Sequence, residues 1–195
     1  SSLTGNAAEI IAAALAAGYR HIDTAWKYGS ERAVGQALRA SHIPRGEVFL
    51  TTKVSHEYLR ADDFARSVDE SLKNLAVDYV DLLLVHWPNE AIPLAETMGA
   101  LAMAKRRGLA RYIGITTSTD GDHDAVAAVS EHEKPDFVQV NYSIVDRNAE
   151  KRVLPAAKAA GAAVLCNVPF GRGGLFRKVR GKPLPDWAAE FDAAS

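Results

Sequence analysis

Four side chains of this 195-residue chain have chemistry that combines: Asp23, Tyr28, Lys53 and His86. A phenol has a pKa of ~10, too high for ready proton donation to a carbonyl oxygen at neutral pH. A nearby ammonium stabilises the phenolate and lowers that value. A carboxylate such as Asp23 can hold the ammonium of Lys53 in place. His86 can hydrogen-bond a carbonyl and fix its orientation, or relay the proton. Together the four groups could protonate a carbonyl oxygen while hydride reaches the carbon. Protein side chains do not deliver hydride, so a nicotinamide or a flavin must supply it. Taken singly, each residue has an ordinary structural use, the Asp–Lys pair as an ion pair and the histidine as a hydrogen-bonded core residue. The chemistry therefore depends on a fold that brings the four to one place.

Six apolar runs could do so: residues His21–Ala25, Phe49–Val54, Tyr79–Trp87, Tyr112–Thr117, Phe137–Tyr142 and Ala163–Val168. Each is short and rich in Val, Ile, Leu or Thr, as strands buried in a parallel sheet are. Helical spacing fills the gaps over Asn6–Ala17, Ser30–Ala40, Asp62–Leu75, Ile92–Arg107, Asp120–His132 and Asn148–Ala160. Asn6 is the expected N-cap of the first helix and Gly18 its stop. Strand and helix alternate every ~25–35 residues, the size of a βα unit. The turn Trp26-Lys27-Tyr28-Gly29-Ser30 lacks the G-x-G-x-x-G pattern of a dinucleotide-binding sheet. The expected fold is therefore an α/β (β/α)8 barrel formed as a single domain over residues 1–195. In such a barrel, functional residues lie at the C-terminal ends of the strands. Asp23, Lys53, His86, Thr116 with Thr117, and Asn167 fall there. Gln139 and Asn141 lie in the fifth strand, and Tyr28 sits in the first loop. His21 is expected to point away from the site.

Composition excludes other classes. Hydrophobic residues make up 48% and charged residues 24%, the globular average. Lys+Arg number 23 against 24 Asp+Glu, a net charge of -1, so no field concentrates nucleic acid or an anionic membrane. No apolar run reaches the ~18–20 residues of a membrane span, and the Ala-rich stretch from Ile10 to Gly18 reads as a helix, not a signal peptide. The single Cys166 frees the fold from an oxidising compartment, and a cytoplasmic location is the expectation. No metal-ligand cluster is evident. His56 and His132 read as solvated surface residues. A complete barrel has ~250 residues. The chain opens at Ser1 and stops at Ser195, beyond a further element over Asp186–Phe191, and so reads as a piece of a longer chain or a processed one.

The run Gly18-Tyr19-Arg20-His21-Ile22-Asp23-Thr24-Ala25, followed by Tyr28-Gly29, Glu31 and Val34-Gly35, resembles the first signature of the aldo-keto reductases. Phe49 to Val54 and Val80 to Pro88 continue the match. Gly108 to Gly114, Val138 to Ser143 and Pro169 to Gly171 resemble later segments in order. The resemblance implies an NADPH-dependent reductase of aldehydes and ketones, acting on a small-molecule carbonyl substrate. Tyr28 would be the general acid, Lys53 would lower its pKa, Asp23 would hold Lys53, and His86 would orient the carbonyl. Gln139 would bond the nicotinamide carboxamide, with Thr116, Thr117 and Asn167 at neighbouring cofactor positions. The loop through Pro169, Gly171 and Arg172 would lie along the pyrophosphate. Trp26, Trp87 and Phe170 would wall the substrate pocket.

The sequence also departs from the family. Thr116-Thr117 stands where Ser-Asn is common, and a hydroxyl offers fewer hydrogen bonds than an amide. Asn167 stands where an aromatic ring often stacks on the nicotinamide. The first and last barrel segments are not seen in this chain. A second reading is therefore a nicotinamide-binding regulatory or binding module with weak or no catalysis. A third is a hydrolase using Asp23 and His86.

Overall fold

The computed structural model describes residues 6–183 and 185–190. Six strands form one parallel sheet: β1 (His21–Asp23), β2 (Phe49–Val54), β3 (Val80–Val85), β4 (Ala110–Thr116), β5 (Phe137–Asn141) and β6 (Ala163–Asn167). Each pairs only with its neighbours in sequence, in the order β1-β2-β3-β4-β5-β6. Between and around them run α1 (Ala7–Ala16), α2 (Glu31–Ser41), α3 (Ala61–Leu75), α4 (Leu94–Arg106), α5 (His123–Glu133), α6 (Val153–Ala160) and α7 (Gly174–Val179). An unbroken neighbour-to-neighbour order is the wall of a (β/α) barrel. A closed barrel has eight such strands, and the described residues supply six.

Period-two alternation divides the sheet's side chains. Leu83, Val85, Ile115, Val138 and Val140 face outward, into a core shared with Val34, Phe64, Val68, Leu101, Val126 and Val153 of the helices. The alternate set, including Lys53, Thr116, Gln139 and Asn167, faces the concave side and lines a cavity. Helix α3 shows why the outer layer forms. Phe64, Val68, Leu72 and Leu75 fall on one buried stripe, and the helix stops at Ala76 in the left-handed region (φ 53°).

Close packing fixes the curvature. A Cβ at Gly114 would collide with the Phe137 carbonyl oxygen and lie 2.9 Å from Leu84 Cδ2, so only glycine lets β4 approach β5 there. Buried Asp81 clamps the lower end of the sheet. Its oxygens accept from the Leu50 amide (2.9 Å), Arg45 (2.8 Å) and Arg111 (2.9 Å). Below the cavity, His21, Phe49, Tyr112 and Phe137 form an aromatic layer. His21 belongs to the face that carries Asp23, because residues two apart in a strand share a face. The expectation that it points away is corrected: it lies one layer below the site, its Nε2 3.1 Å from Thr51 Oγ1.

Other differences from the sequence reading sit at element ends. β1 stops at Asp23, although the Thr24 amide still bonds to the Thr51 carbonyl at 2.9 Å. β3 stops at Val85, which leaves His86 and Trp87 in the following loop. Asp120–Asp122 is a 3-10 turn capped by Thr119 rather than the start of α5. The helix expected from Asn148 is broken at Arg152 (φ -136°, ψ -53°). Asn6 occupies the N-cap position of α1 without a side-chain cap bond. The element expected over Asp186–Phe191 is a 3-10 helix over Asp186–Glu190, and Phe191 lies outside the described residues. Among the described residues, no helix is long and apolar enough to cross a membrane.

Candidate active site

A cavity of about 590 Å³ opens at the C-terminal ends of the strands. Asp23, Tyr28, Lys53 and His86 meet in its wall, with Trp87, Thr116, Gln139, Asn167 and Arg172 around them. Each arrives by a simple local route. Asp23 and Lys53 are inward residues of neighbouring strands, Asp23 one residue beyond Ile22, which pairs with Leu50. Tyr28 closes a 3-10 turn that Gly29 ends in the left-handed region (φ 67°). His86 follows the last residue of β3 and keeps the sheet's hydrogen bonding, its amide donating to the Val54 carbonyl at 3.0 Å.

Lys53 is the buried centre of the group, 2% exposed. Its ammonium donates to Asp23 Oδ1 and, at 2.9 Å, to the Thr24 carbonyl. It also lies 5.2 Å from the centre of the Tyr28 ring. The second Asp23 oxygen accepts from the Gln139 amide at 2.7 Å. Tyr28 packs edge-on against His86, with ring centres 5.5 Å apart, and His86 stacks on Trp87 at 3.9 Å.

Burial sets the charge states. The His86 imidazole is pushed down to about 4, first by burial and then by the Lys53 cation. It is neutral at physiological pH. Burial also lowers the Lys53 ammonium, against which Asp23 acts in the opposite sense. The Tyr28 phenol is raised, first by burial and then by the negative charge of Asp23. This differs from the expected lowering by Lys53. Burial and the neighbouring carboxylate thus keep the proton on the resting phenol. That is the state a general acid needs before reaction.

Several sequence-predicted positions lie elsewhere. Thr117 is buried, its hydroxyl donating to Asp122 Oδ2 at 2.8 Å, and it does not line the cavity. Trp26 packs edge-on against Tyr58 at 4.9 Å, and Phe170 packs against Phe176 at 5.1 Å. Neither is a wall of the cavity; Trp87 is. Pro169 and Gly171 also lie off the lining, whereas Arg172 of the same loop reaches it. Gln139, expected at the carboxamide, donates one of its two amide hydrogens to Asp23. His56 is no solvated residue: it is half-buried and edge-on to Trp87 at 5.5 Å.

Three lining residues had no assigned role in the sequence reading. Ser118 lies two positions beyond Thr116 and its oxygens accept from Trp87 Nε1 (3.3 Å) and Asn141 (3.0 Å). Asn141 lies two positions beyond Gln139, so period two alone places both. Val168 left no such signal. It is a β-branched residue at φ 46°, a conformation that nothing in its local sequence announces.

Comparison with known proteins identifies the family. The sequence profile described as "Aldo/keto reductase family" matches residues 4–190. A methylglyoxal reductase DkgB of Yersinia pestis is 42% identical over 189 residues, covering 95% of this chain and 68% of that protein. The Salmonella typhi methylglyoxal reductase DkgB is 42% identical over 164 residues, covering 82% of this chain and 60% of its own length. The chain thus spans about three-fifths of the length of that relative. Among solved structures, the thermostable aldo-keto reductase Tm1743, described as a complex with the inhibitor epalrestat, superposes with TM-score 0.80 at 33% identity. It covers 98% of this chain and 71% of that one. A Bombyx mori aldo-keto reductase in complex with NADP superposes with TM-score 0.76 at 28% identity, covering 95% and 64%. The six-strand wall, the signature segments and the profile match lead to one conclusion: this chain belongs to the aldo/keto reductase family.

Proposed function

We propose that the protein reduces aldehydes or ketones to alcohols with NADPH, Tyr28 acting as the general acid. The observation that carries this reading is the meeting of a proton-loaded phenol, a neutral imidazole and a buried Lys–Asp pair in one cavity wall. The residues present fit a nicotinamide cofactor. Ser118, Asn141 and Asn167 offer hydroxyl and amide groups suited to a carboxamide. Arg172 reaches the cavity and has no ion pair among the described residues, so it is available to a phosphate. The bound cofactor would supply hydride to the carbonyl carbon.

The chain's own residues do the rest. His86 Nδ1 is buried without a partner. A neutral imidazole carries one N–H, and a buried unpaired donor is costly. We therefore assign the proton to Nε2, which donates to the carbonyl oxygen and orients it. Tyr28 Oη then gives its proton to that oxygen as negative charge develops there. Lys53 stabilises the phenolate left behind, and Asp23 keeps Lys53 within reach. Trp87, stacked on His86, shields one side of the site from water. Because two relatives are named methylglyoxal reductases, we take small 2-oxo aldehydes as the substrate class. The test is oxidation of NADPH on addition of methylglyoxal. Turnover supports the reading; saturable NADPH binding without turnover would favour the binding module instead.

A further inference from the structure

We propose that Glu31 is a positioning residue for Tyr28, tying the far end of the Tyr28 turn to the strand that carries Lys53. Its kinetic consequence rests on the reductase reading above; its geometric consequence does not.

Glu31 opens α2 and is 2% exposed. It takes no part in the chemistry described above and forms no ion pair among the described residues. One carboxyl oxygen accepts from Thr52 Oγ1 at 2.7 Å, the other from Asn74 Nδ2 of α3 at 3.4 Å. Thr52 is itself 1% exposed and directly precedes Lys53 in β2. Its side chain leaves the sheet on the face opposite to that of Lys53. The turn bearing Tyr28 runs from Thr24 to Glu31 and is held at both ends. At the near end, the Thr24 carbonyl accepts from Lys53 Nζ at 2.9 Å. At the far end, Glu31 grips Thr52. The Thr24 and Ser30 hydroxyls, 2.9 Å apart, close the turn between them. Lys53 and its neighbour therefore anchor both ends of the turn that presents Tyr28.

A buried carboxyl–hydroxyl bond is a poor choice for stability alone, since replacing both partners by apolar groups of the same shape can be nearly neutral. It is a good choice for fixing one geometry. A proton donor displaced by about 1 Å can cost about a hundredfold in rate.

The test compares Glu31→Leu, Glu31→Gln, Thr52→Val and the Glu31→Leu/Thr52→Val pair in the full protein. Gln keeps an oxygen acceptor for the Thr52 hydroxyl, whereas Leu does not. We expect Glu31→Leu to lower kcat by about tenfold or more with KM nearly unchanged, and Gln to restore most of it. Thr52→Val, which removes only the donor, should reproduce the loss, and the pair should lose no more than either single change. A second readout needs no turnover. The Tyr28 phenol is titrated by absorbance as the difference from a Tyr28→Phe partner in each background. The groups facing it are Asp23, Lys53 and His86. Its midpoint should move in the Leu and Val variants and hold in the Gln variant. An unmoved midpoint with only a fall in Tm would make Glu31 merely structural and overturn the proposal. If Glu31→Leu does not fold, Thr52→Val decides by the same two readouts. If the unmodified protein shows no turnover, the reductase reading fails and the titration still decides this inference.

Discussion

The side-chain amide of Gln139 on β5 donates to Asp23 Oδ2 on β1 at 2.7 Å, spanning 116 positions of the chain. Lys53 occupies the other oxygen. The carboxylate is therefore held from both sides, and the strand opposite β1 in the curved sheet helps to aim Lys53. Replacing Gln139 by Leu removes one bond to a charged group, worth ~1.5–3 kcal/mol when fully buried. Asp23 is one-third exposed, so water recovers part of this. We expect kcat/KM to fall by about tenfold. Gln139→Glu sets a second carboxylate against Asp23 and should cost more. Activity in both variants equal to the parent would show that the contact positions nothing.

Lys53→Met keeps the stem and removes the cation. The Asp23 carboxylate then loses its buried partner, and the phenolate of Tyr28 loses its counter-charge. We expect turnover to fall by on the order of a hundredfold or more. Single-turnover rates across pH 6 to 9 check this, and a parent-like rate would contradict the role of the ammonium.

The buried imidazole of His86 makes a prediction about pH. Its value falls from 6.5 to about 4 on folding. Between those values the unfolded chain binds more protons than the folded one, so stability rises with pH across that window. The contribution is complete above pH 6.5 and is lost as pH falls toward 4. The loss is on the order of 2 kcal/mol, once solvent at the cavity mouth is discounted. Urea midpoints measured at pH 4.5 and 7 should differ less in His86→Gln than in the parent. An equal difference in both would contradict the burial of a neutral ring.

Val168 carries backbone strain beside the cavity, at φ 46°. A β-branched residue in the left-handed region costs ~1–3 kcal/mol, and Asn tolerates that region better. Val168→Asn should raise Tm by ~2–4 °C for each kcal/mol recovered. A lower Tm would mean that the side chain's packing outweighs the strain.

Gly35 packs against the Leu75 carbonyl oxygen where α2 meets α3, with no room for a Cβ. Gly35→Ala should destabilise by ~1–3 kcal/mol through overpacking. Thermal melts check this, and an unchanged Tm would show that the helices separate freely.

Much of the architecture was legible because periodicity reports burial. Short apolar runs rich in Val, Ile, Leu and Thr mark every strand, and positions such as Lys53 and Thr116 follow from their place at the strands' C-terminal ends. What failed was local. The ends of β1 and β3 depend on carbonyls of neighbouring strands, which no short window contains. Thr117 was expected at the cofactor, yet its hydroxyl serves Asp122, a bond set by the turn geometry of residues 117–122. Trp26 and Phe170, expected as pocket walls, each pack on an aromatic partner elsewhere, a contact between residues that are distant or unpaired in any short window. His21 shares the face of Asp23, two residues on, so its true place is legible in the two-residue period itself. The direction of the Tyr28 shift could not be read from residue types, because it depends first on the burial of the ring and then on the charge of Asp23 beside it.

The proposed function turns on Tyr28 as the proton donor in a carbonyl reduction. Its most direct test is NADPH oxidation with methylglyoxal by the parent protein and by Tyr28→Phe, alongside quenching of tryptophan fluorescence by NADPH. We expect turnover in the parent, near-complete loss in Tyr28→Phe, and similar NADPH affinity in both. Turnover in Tyr28→Phe equal to that of the parent would contradict it.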